Sequence, residues 1–450
     1  MADPRRTLAR GVRAVSRGLG RGGGTTLPGR LLLKADPHAL RRMSERLDHG
    51  AVLVSATNGK TTTSAMVASI LERSGRRVVH NRAGSNLGWG IATALLDAGR
   101  EPGQLGLFEV DEAWLPQVAE AIRPRAILLS NLFRDQLDRY GELESLADRW
   151  AGVVEADAGH ATLVLNADDP LVADLGRGRK GVTYFGVDDR SQALPELQHA
   201  ADSKHCRNCG TAYVYETVLL GHLGSYSCPN CGRSRPEARV AAERVKLDGM
   251  SGAQLDLRTP AGQISLTLPV PGLYNVYNAV AATALALEVG ASADHVRGGL
   301  EGFGGAFGRV ETIAVNARPV SILLVKNPAG ANEVLRTLTL EDDALDLWIA
   351  LNDGIADGRD VSWIWDADFE LLAGRVRSVA CSGTRAEEMA LRLKYAGIGS
   401  EIVVERDLER SLDAAVAAGE GPLFALPTYT ALLELRGLLS RRGLAPKWAD

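Results

Sequence analysis

No run of about 18 consecutive apolar residues occurs in the sequence, so no membrane-spanning helix is expected. The first residues carry Arg5, Arg6, Arg10, Arg13 and Arg17 without an apolar stretch, which excludes the pattern of a secretory signal. Cysteine is scarce at five, and four of the five fall in two tight pairs. That excludes a disulfide framework and points to a metal site in a reduced compartment, the cytoplasm being the natural one. Positive charge is not in surplus either. Lys and Arg number 51 against 55 Asp and Glu, a net of −4, which argues against whole-chain affinity for nucleic acid. No internal repeat is found. What is present is ordinary: 45% hydrophobic and 24% charged residues, enough for a sizeable core. A length of 450 residues suggests about three domains.

The most informative stretch is Ser55-Ala56-Thr57-Asn58-Gly59-Lys60-Thr61. The apolar run Ala51–Val54 before it reads as a buried strand, and Thr62–Leu71 after it as a helix with Met66, Val67, Ile70 and Leu71 on one face. A strand, a Gly-containing turn, Lys-Thr and a helix together make a phosphate site. Backbone N–H groups at the helix start point at the anion, Lys60 neutralises it, and the Thr61 hydroxyl can hold Mg²⁺. Val54 stands where the general pattern has its first Gly. The chain is expected to bind a nucleoside triphosphate.

Three segments separate along the chain. Residues 1–50 read as a basic arm: from Met1 to Lys34 there are seven Arg and one Lys against one Asp. Leu8, Val12, Val15 and Leu19 suit a short amphipathic helix there. Residues 51–315 alternate strands (Arg77–His80, Leu105–Val110, Ala126–Ser130, Ala161–Leu165, Val182–Phe185) with helices, which implies a mainly parallel sheet. Residues 316–450 begin the alternation again, as a smaller α/β domain of Rossmann type, with strands at Val320–Val325, Leu347–Leu351, Val376–Cys381, Ile402–Val404 and Leu423–Ala425.

Inside the second segment, at about 201–236, sits an insertion with its own chemistry. Cys206-x2-Cys209 and Cys228-x2-Cys231 are separated by eighteen residues, and each pair is followed by Gly. Two such knuckles close a tetrahedral Zn²⁺ site, with a small β-ribbon over Ala212–Glu216 and Gly224–Ser227 between them. Four protein ligands leave no open position, so the zinc is structural; a redox role for the pairs is the alternative. His205 and His222 read as surface residues and Cys381 as a buried hydrophobe.

Other polar positions complete a nucleotide site. Glu109 ends an apolar strand, where a parallel sheet opens its ligand crevice, and can face a Mg²⁺ beside Thr61. Asp111 and Glu112 beyond it read equally as a solvated acidic turn. Asn131–Asp138 follows another strand end. In Tyr274–Asn278, before an Ala-rich helix, Asn278 could read a base edge. Arg309, after a Gly-rich turn, could reach phosphates.

The order Thr57-Asn58-Gly59-Lys60-Thr61-Thr62, Asn131-Leu-x-x-Asp-x-Leu-Asp138, Leu163-x-Leu-Asn-Ala-Asp-Asp-Pro170, Tyr274-Asn-x-x-Asn-Ala279 and Gly308-Arg309-x-Glu311 resembles the central ATPase domain of the Mur ligases, relatives of folylpolyglutamate synthase. Ala56 replaces the usual opening Gly, tolerable if its φ is negative. Gln136 stands where many of these ligases have a His near the second metal. About 50 residues precede the phosphate loop, fewer than the sugar-nucleotide domain of such ligases needs. Together with the cysteine ribbon and Lys326-Asn-Pro-Ala-Gly330, the run Asn352–Asp366 is similar to MurT, the synthetase-like subunits of lipid II isoglutaminyl synthase. That resemblance implies ATP-dependent conversion of the lipid II D-glutamate α-carboxyl to the amide, giving D-isoglutamine, with ammonia from a GatD-like glutaminase. It also implies that Asp360 completes the Cys-His pair of that partner, with Asp353 and Asp357 as alternatives.

Charge supports something unusual in that region. From Glu341 to Glu370 there are ten acidic residues and one Arg, interleaved with Trp348, Trp363 and Trp365. An acidic solvated loop is one reading; an interface or active site is the other. No cysteine sits in a recognisable nucleophile turn, so ammonia must come from a partner. Two other functions stay open: a self-sufficient amino-acid ligase, and a zinc-ribbon nucleic-acid ATPase. The ribbon from Asp202 to Arg239 holds five Lys and Arg against three Asp and Glu, a weak surplus for the latter. The basic arm could also meet anionic lipid headgroups.

Overall fold

The computed structural model describes residues 26–81, 85–99, 101–135, 143–198, 201–304, 310–341, 343–419 and 421–446. Its strands in chain order are β1 (Ala51–Ser55), β2 (Arg77–His80), β3 (Gln104–Glu109), β4 (Ala126–Leu129), β5 (Thr162–Asn166) and β6 (Val182–Val187). There follow β7 (Val214–Leu220), β8 (Leu223–Ser227), β9 (Val240–Leu247), β10 (Ala253–Thr259) and β11 (Gly262–Leu268). The last six are β12 (Val310–Val315), β13 (Arg318–Leu323), β14 (Leu345–Ala350), β15 (Val376–Ser382), β16 (Ile402–Val404) and β17 (Leu423–Pro427).

A nine-stranded sheet runs β11-β10-β9-β6-β5-β4-β1-β3-β2, parallel except at the β9–β10 and β10–β11 pairs. Parallel strands are covered on both faces, which is why β1 is apolar throughout rather than alternating. Its side chains divide by parity. Val52 and Val54 join one core with the helices Lys60–Arg73 and Leu273–Glu288. Ala51 and Leu53 join the other, with Trp150 and the helices Gly88–Ala98 and Leu143–Asp157. The Ala-rich composition of Leu273–Glu288 lets that helix lie almost wholly buried against the sheet.

A second sheet, β12-β13-β17-β14-β15-β16, is parallel apart from the β12–β13 hairpin. β12 belongs to it, so the expected join at 315/316 falls at the turn of that hairpin. The ribbon hairpin β7–β8 stands apart as a two-stranded sheet.

Within the basic segment, Leu27–Ala35 and Ala39–Ser44 are helices. The first packs so closely on Gly88–Ala98 that a Cβ at Gly29 would lie 1.8 Å from the Trp89 carbonyl oxygen. Trp348 is no interface residue, being fully buried with Nε1 donating to Ser411 Oγ at 3.0 Å. The stripe at Leu8–Leu19 lies outside the described residues.

Candidate functional site

The turn after β1 folds as the phosphate-loop reading expects. Gly59, at φ +83°, precedes the helix Lys60–Arg73, and a Cβ there would lie 2.0 Å from Asn278 Oδ1. Ala56 keeps a negative φ, so its replacement of Gly is unstrained. Asn131 braces the loop on both sides: its Oδ1 accepts from Asn58 N at 2.9 Å and its Nδ2 donates to Asn58 O at 3.0 Å. Thr61 Oγ1 donates to Glu109 Oε1 at 3.1 Å, so the strand-end carboxylate does face the loop hydroxyl. These are hard oxygen donors of the kind Mg²⁺ takes.

Lys60 is buried, with Nζ 2.8 Å from Glu112 Oε2 and donating also to the Ala56 and Thr57 carbonyls. Burial opposes its charge, but Glu112, Asp111 and Glu109 outweigh burial and raise its pKa. Burial likewise pushes the Glu112 carboxyl up, and Lys60 more than reverses this. The solvated-turn alternative for Asp111 and Glu112 is therefore corrected: both are buried, and Glu112 is the counter-ion of the loop lysine. The signal available for it was its distance of three residues from Glu109 beyond a strand end.

The C-terminal segment closes the site. Lys326 Nζ donates to Thr57 O at 3.2 Å and pairs with Asp135, while the Asn327 and Asn58 amides exchange hydrogen bonds at 3.0 and 3.3 Å. From there a cleft runs between the helices Leu273–Glu288 and Pro328–Leu338, its walls including Tyr274, Asn278 and Glu333. Asn278 accepts from Thr63 Oγ1 at 3.1 Å and donates to Asn275 Oδ1 at 3.1 Å. Arg309 and Gln136 lie outside the described residues.

The four ribbon cysteines converge, all sulfurs lying within 4.8 Å of one another. Cys206–Cys231 and Cys209–Cys228 are 3.5 and 3.4 Å apart. A tetrahedron with Zn–S bonds of about 2.3 Å has edges of about 3.8 Å, so the cluster has the size such an ion needs. The glycines after each pair serve the knuckle turns: Gly210 and Gly232, at φ +74° and +72°, donate to the Cys206 and Cys228 carbonyls at 2.7 and 3.0 Å. His205 is exposed, but His222 is not a surface residue as expected. It is fully buried at the hairpin tip, its ring 4.7 Å from Phe133 and Nε2 3.4 Å from Asp169 Oδ2.

The three acidic candidates after β14 differ in their freedom. Asp353 is held by Thr384 Oγ1 at 2.8 Å and Arg385 Nε at 2.8 Å. Asp357 is buried, accepting from the Thr430 backbone at 2.8 Å and from its hydroxyl. Asp360 is exposed and accepts from Ser362 N at 2.8 Å, a bond that lowers its pKa and keeps it ionised.

Residues 54–286 match the Mur ligase middle domain family and residues 324–432 the MurT ligase C-terminal family. The MurT subunit of lipid II isoglutaminyl synthase (glutamine-hydrolyzing) from Staphylococcus aureus strain N315 is 33% identical over 435 residues, 96% of this chain and 97% of that one. The chain belongs to the MurT family. Among solved structures, a pseudomurein peptide ligase type C from Methanothermus fervidus shares the fold at TM-score 0.68 and 22% identity, over 87% of this chain and 78% of that one. MurF ligase from Thermotoga maritima, solved in complex with ADP, does so at TM-score 0.62 and 14% identity, over 90% and 84% of the two chains. Against that MurT background, the phosphate loop, the cysteine ribbon and the acidic loop are carried on one chain. Among the described residues no helix is long and apolar enough to cross a membrane.

Proposed function

We propose that this chain is the ATP-consuming subunit of a lipid II isoglutaminyl synthase, amidating the α-carboxyl of the stem-peptide D-glutamate with ammonia released by a GatD-like glutaminase. The observation that carries the division of labour is the fate of the cysteines. Four face one another in the ribbon, and the fifth, Cys381, is fully buried with its thiol pushed up to about 12 by burial. None is poised as a free glutaminase nucleophile: the ribbon thiols face one another, and Cys381 is shut off from solvent. The amide nitrogen therefore comes from another subunit.

A carboxylate is a poor acyl donor because its leaving group would be oxide. Attack of a carboxylate oxygen on the γ-phosphorus of ATP expels ADP and gives an acyl phosphate. The nitrogen of ammonia then attacks the acyl carbon, the carbon–oxygen bond to phosphate breaks, and a proton is lost. Positioning and charge neutralisation dominate phosphoryl transfer. Residues Thr57 to Thr62 hold the phosphates, with Lys60 leaving Glu112 to meet them and Arg309 adding charge. Thr61 and Glu109 would hold Mg²⁺, which supplies further neutralisation. Asn278 lines the nucleoside side of the cleft. A structural Zn²⁺ in Cys206, Cys209, Cys228 and Cys231 ties down the ribbon.

The exposed carboxylate of Asp360 suits a role across a subunit interface. Trp365 and Tyr395, both exposed with ring centroids 5.7 Å apart, supply apolar surface for docking in the same domain. ATP hydrolysis by the purified chain with the partner should rise with lipid II plus glutamine, and Lys60→Ala should abolish it. Stimulation by a free amino acid or by DNA instead would favour the stand-alone ligase or the nucleic-acid ATPase.

A further inference from the structure

Glu333 has a position that the amidation chemistry leaves unexplained. It is 1% exposed, and neither carboxyl oxygen has a hydrogen-bond partner among the described residues. Arg336 approaches only to 3.9 Å, and its guanidinium donates instead to the Leu219 and Gln192 carbonyls at 2.8 and 2.7 Å. A buried carboxyl without a donor is costly, so its retention implies a donor that arrives with a ligand.

The place of Glu333 says which ligand. It lines the cleft that begins at Asn58, Gly59 and Thr62 of the phosphate loop. Asn327, at the start of the helix Pro328–Leu338, touches Asn58, and Glu333 lies six residues further along. At about 1.5 Å per residue that is about 9 Å along the helix from the residue that touches the loop, a place suited to the nucleoside rather than to the transferred phosphoryl group. The surrounding walls, Val270, Phe303, Leu324 and Leu220, are apolar, as a planar base requires. Across the slot, Asn278 has spent one acceptor and one donor on Thr63 and Asn275. Glu333 has spent nothing.

We propose that Glu333 accepts a hydrogen bond from the exocyclic amine of adenine, making it the residue that selects ATP over nucleotides lacking that amine. The proposal rests on the reading of this chain as an ATP-consuming enzyme. Burial lifts the Glu333 carboxyl to about 7, so the ionised form is populated at and above that pH. In that form both oxygens only accept, one of them from the amine, and a base with a carbonyl at the amine position would set acceptor against acceptor.

Equilibrium binding of ATP, ITP, purine riboside triphosphate and 2′-deoxy-ATP to the full chain tests this, with wild type, Glu333→Leu and Glu333→Gln. Wild type should bind ATP about tenfold or more tightly than ITP and purine riboside triphosphate, the worth of one buried hydrogen bond. Glu333→Leu should erase that ratio by weakening ATP alone, and Glu333→Gln should keep the preference over purine riboside triphosphate while losing most of that over ITP, because its amide can turn to donate to a carbonyl. An unchanged ratio in a folded Glu333→Leu protein overturns the assignment. So does loss of discrimination between ATP and 2′-deoxy-ATP alone, which would place the carboxyl on the ribose. Failure of wild type to bind ATP would instead remove the proposed function itself.

Discussion

At the scale of single residues, a buried carboxyl without a donor costs folding free energy, and that cost depends on pH. Glu333 titrates near 4.5 when exposed and at about 7 in the fold. Below 4.5 both states hold the proton and nothing is lost. Between 4.5 and 7 the unfolded chain ionises while the folded one keeps its proton, so stability falls as pH rises. Above 7 the loss is complete, with a ceiling of about 3 kcal/mol. Glu333→Leu removes the effect, so its stability advantage over wild type should widen by about 1–3 kcal/mol from pH 4.5 to pH 8. Urea unfolding across that range measures it. A constant gap would show that the folded protein compensates Glu333 in some other way. Lys60 and Glu112 behave oppositely: each holds the other's charge, so neither titrates near neutral pH.

At the scale of elements, the ribbon is more than a surface ornament. Its tip reaches the cleft, where Leu220 and Leu223 form part of the wall and Gly221 N donates to Gln198 Oε1 at 2.8 Å. Arg336, on the helix Pro328–Leu338, grips the Leu219 carbonyl, and His222 packs on Phe133 beside the loop-bracing Asn131. A metal held by the four cysteines at the far end of the hairpin would therefore help to shape the proposed nucleotide slot. Purified protein should contain about one Zn per chain. Cys206→Ser should cost about 2–5 kcal/mol, comparable to losing a native cross-link, and lower Tm by at least about 4 °C. It should also weaken ATP binding several-fold. Metal-free protein with unchanged melting and unchanged ATP affinity would refute this.

How much was legible follows the same division of scale. The phosphate loop and the cysteine pairs were readable because their chemistry is contiguous in sequence. β1, β3 and β14 were readable because doubly covered strands are continuous apolar runs. The sequence reading leaves out the antiparallel edge β10–β11, although Ala253, Leu255 and Leu257 alternate with polar residues, the mark of a half-buried strand. His222 and Glu333 were not legible, and Glu112 only through its offset of three from Glu109. Each owes its role to a neighbour distant in sequence: Lys60 for Glu112, Phe133 for His222, and for Glu333 the meeting of two helices. An acidic residue on a helix looks the same in sequence whether it faces water or a slot.

At the scale of the whole molecule, the phosphate loop lies on the first sheet and the acidic loop on the second. In the proposed reaction the glutaminase centre lies outside this chain, so each loop can be broken separately. Asp360 follows β14 in an exposed loop, its carboxylate ionised and oriented by Ser362 N. If it fixes the tautomer of the partner's catalytic His, as an Asp does in other nucleophilic triads, Asp360→Ala should lower glutamine hydrolysis by the complex steeply, by about 10³–10⁴-fold. ATP binding and complex formation should persist, because Asp360 touches neither the phosphate loop nor the cores of the two sheets. Supplying ammonium should then restore amidation, since the ATP-consuming half is intact. Asp353→Ala and Asp357→Ala serve as contrasts: the first frees Arg385, and the second removes the acceptor for Thr430, so their effects should show in stability before glutamine hydrolysis. If Asp360→Ala abolishes amidation even with ammonium, the residue serves the ligase reaction rather than the partner. Full glutaminase activity in that variant would show that the loop plays no part in the partner's chemistry.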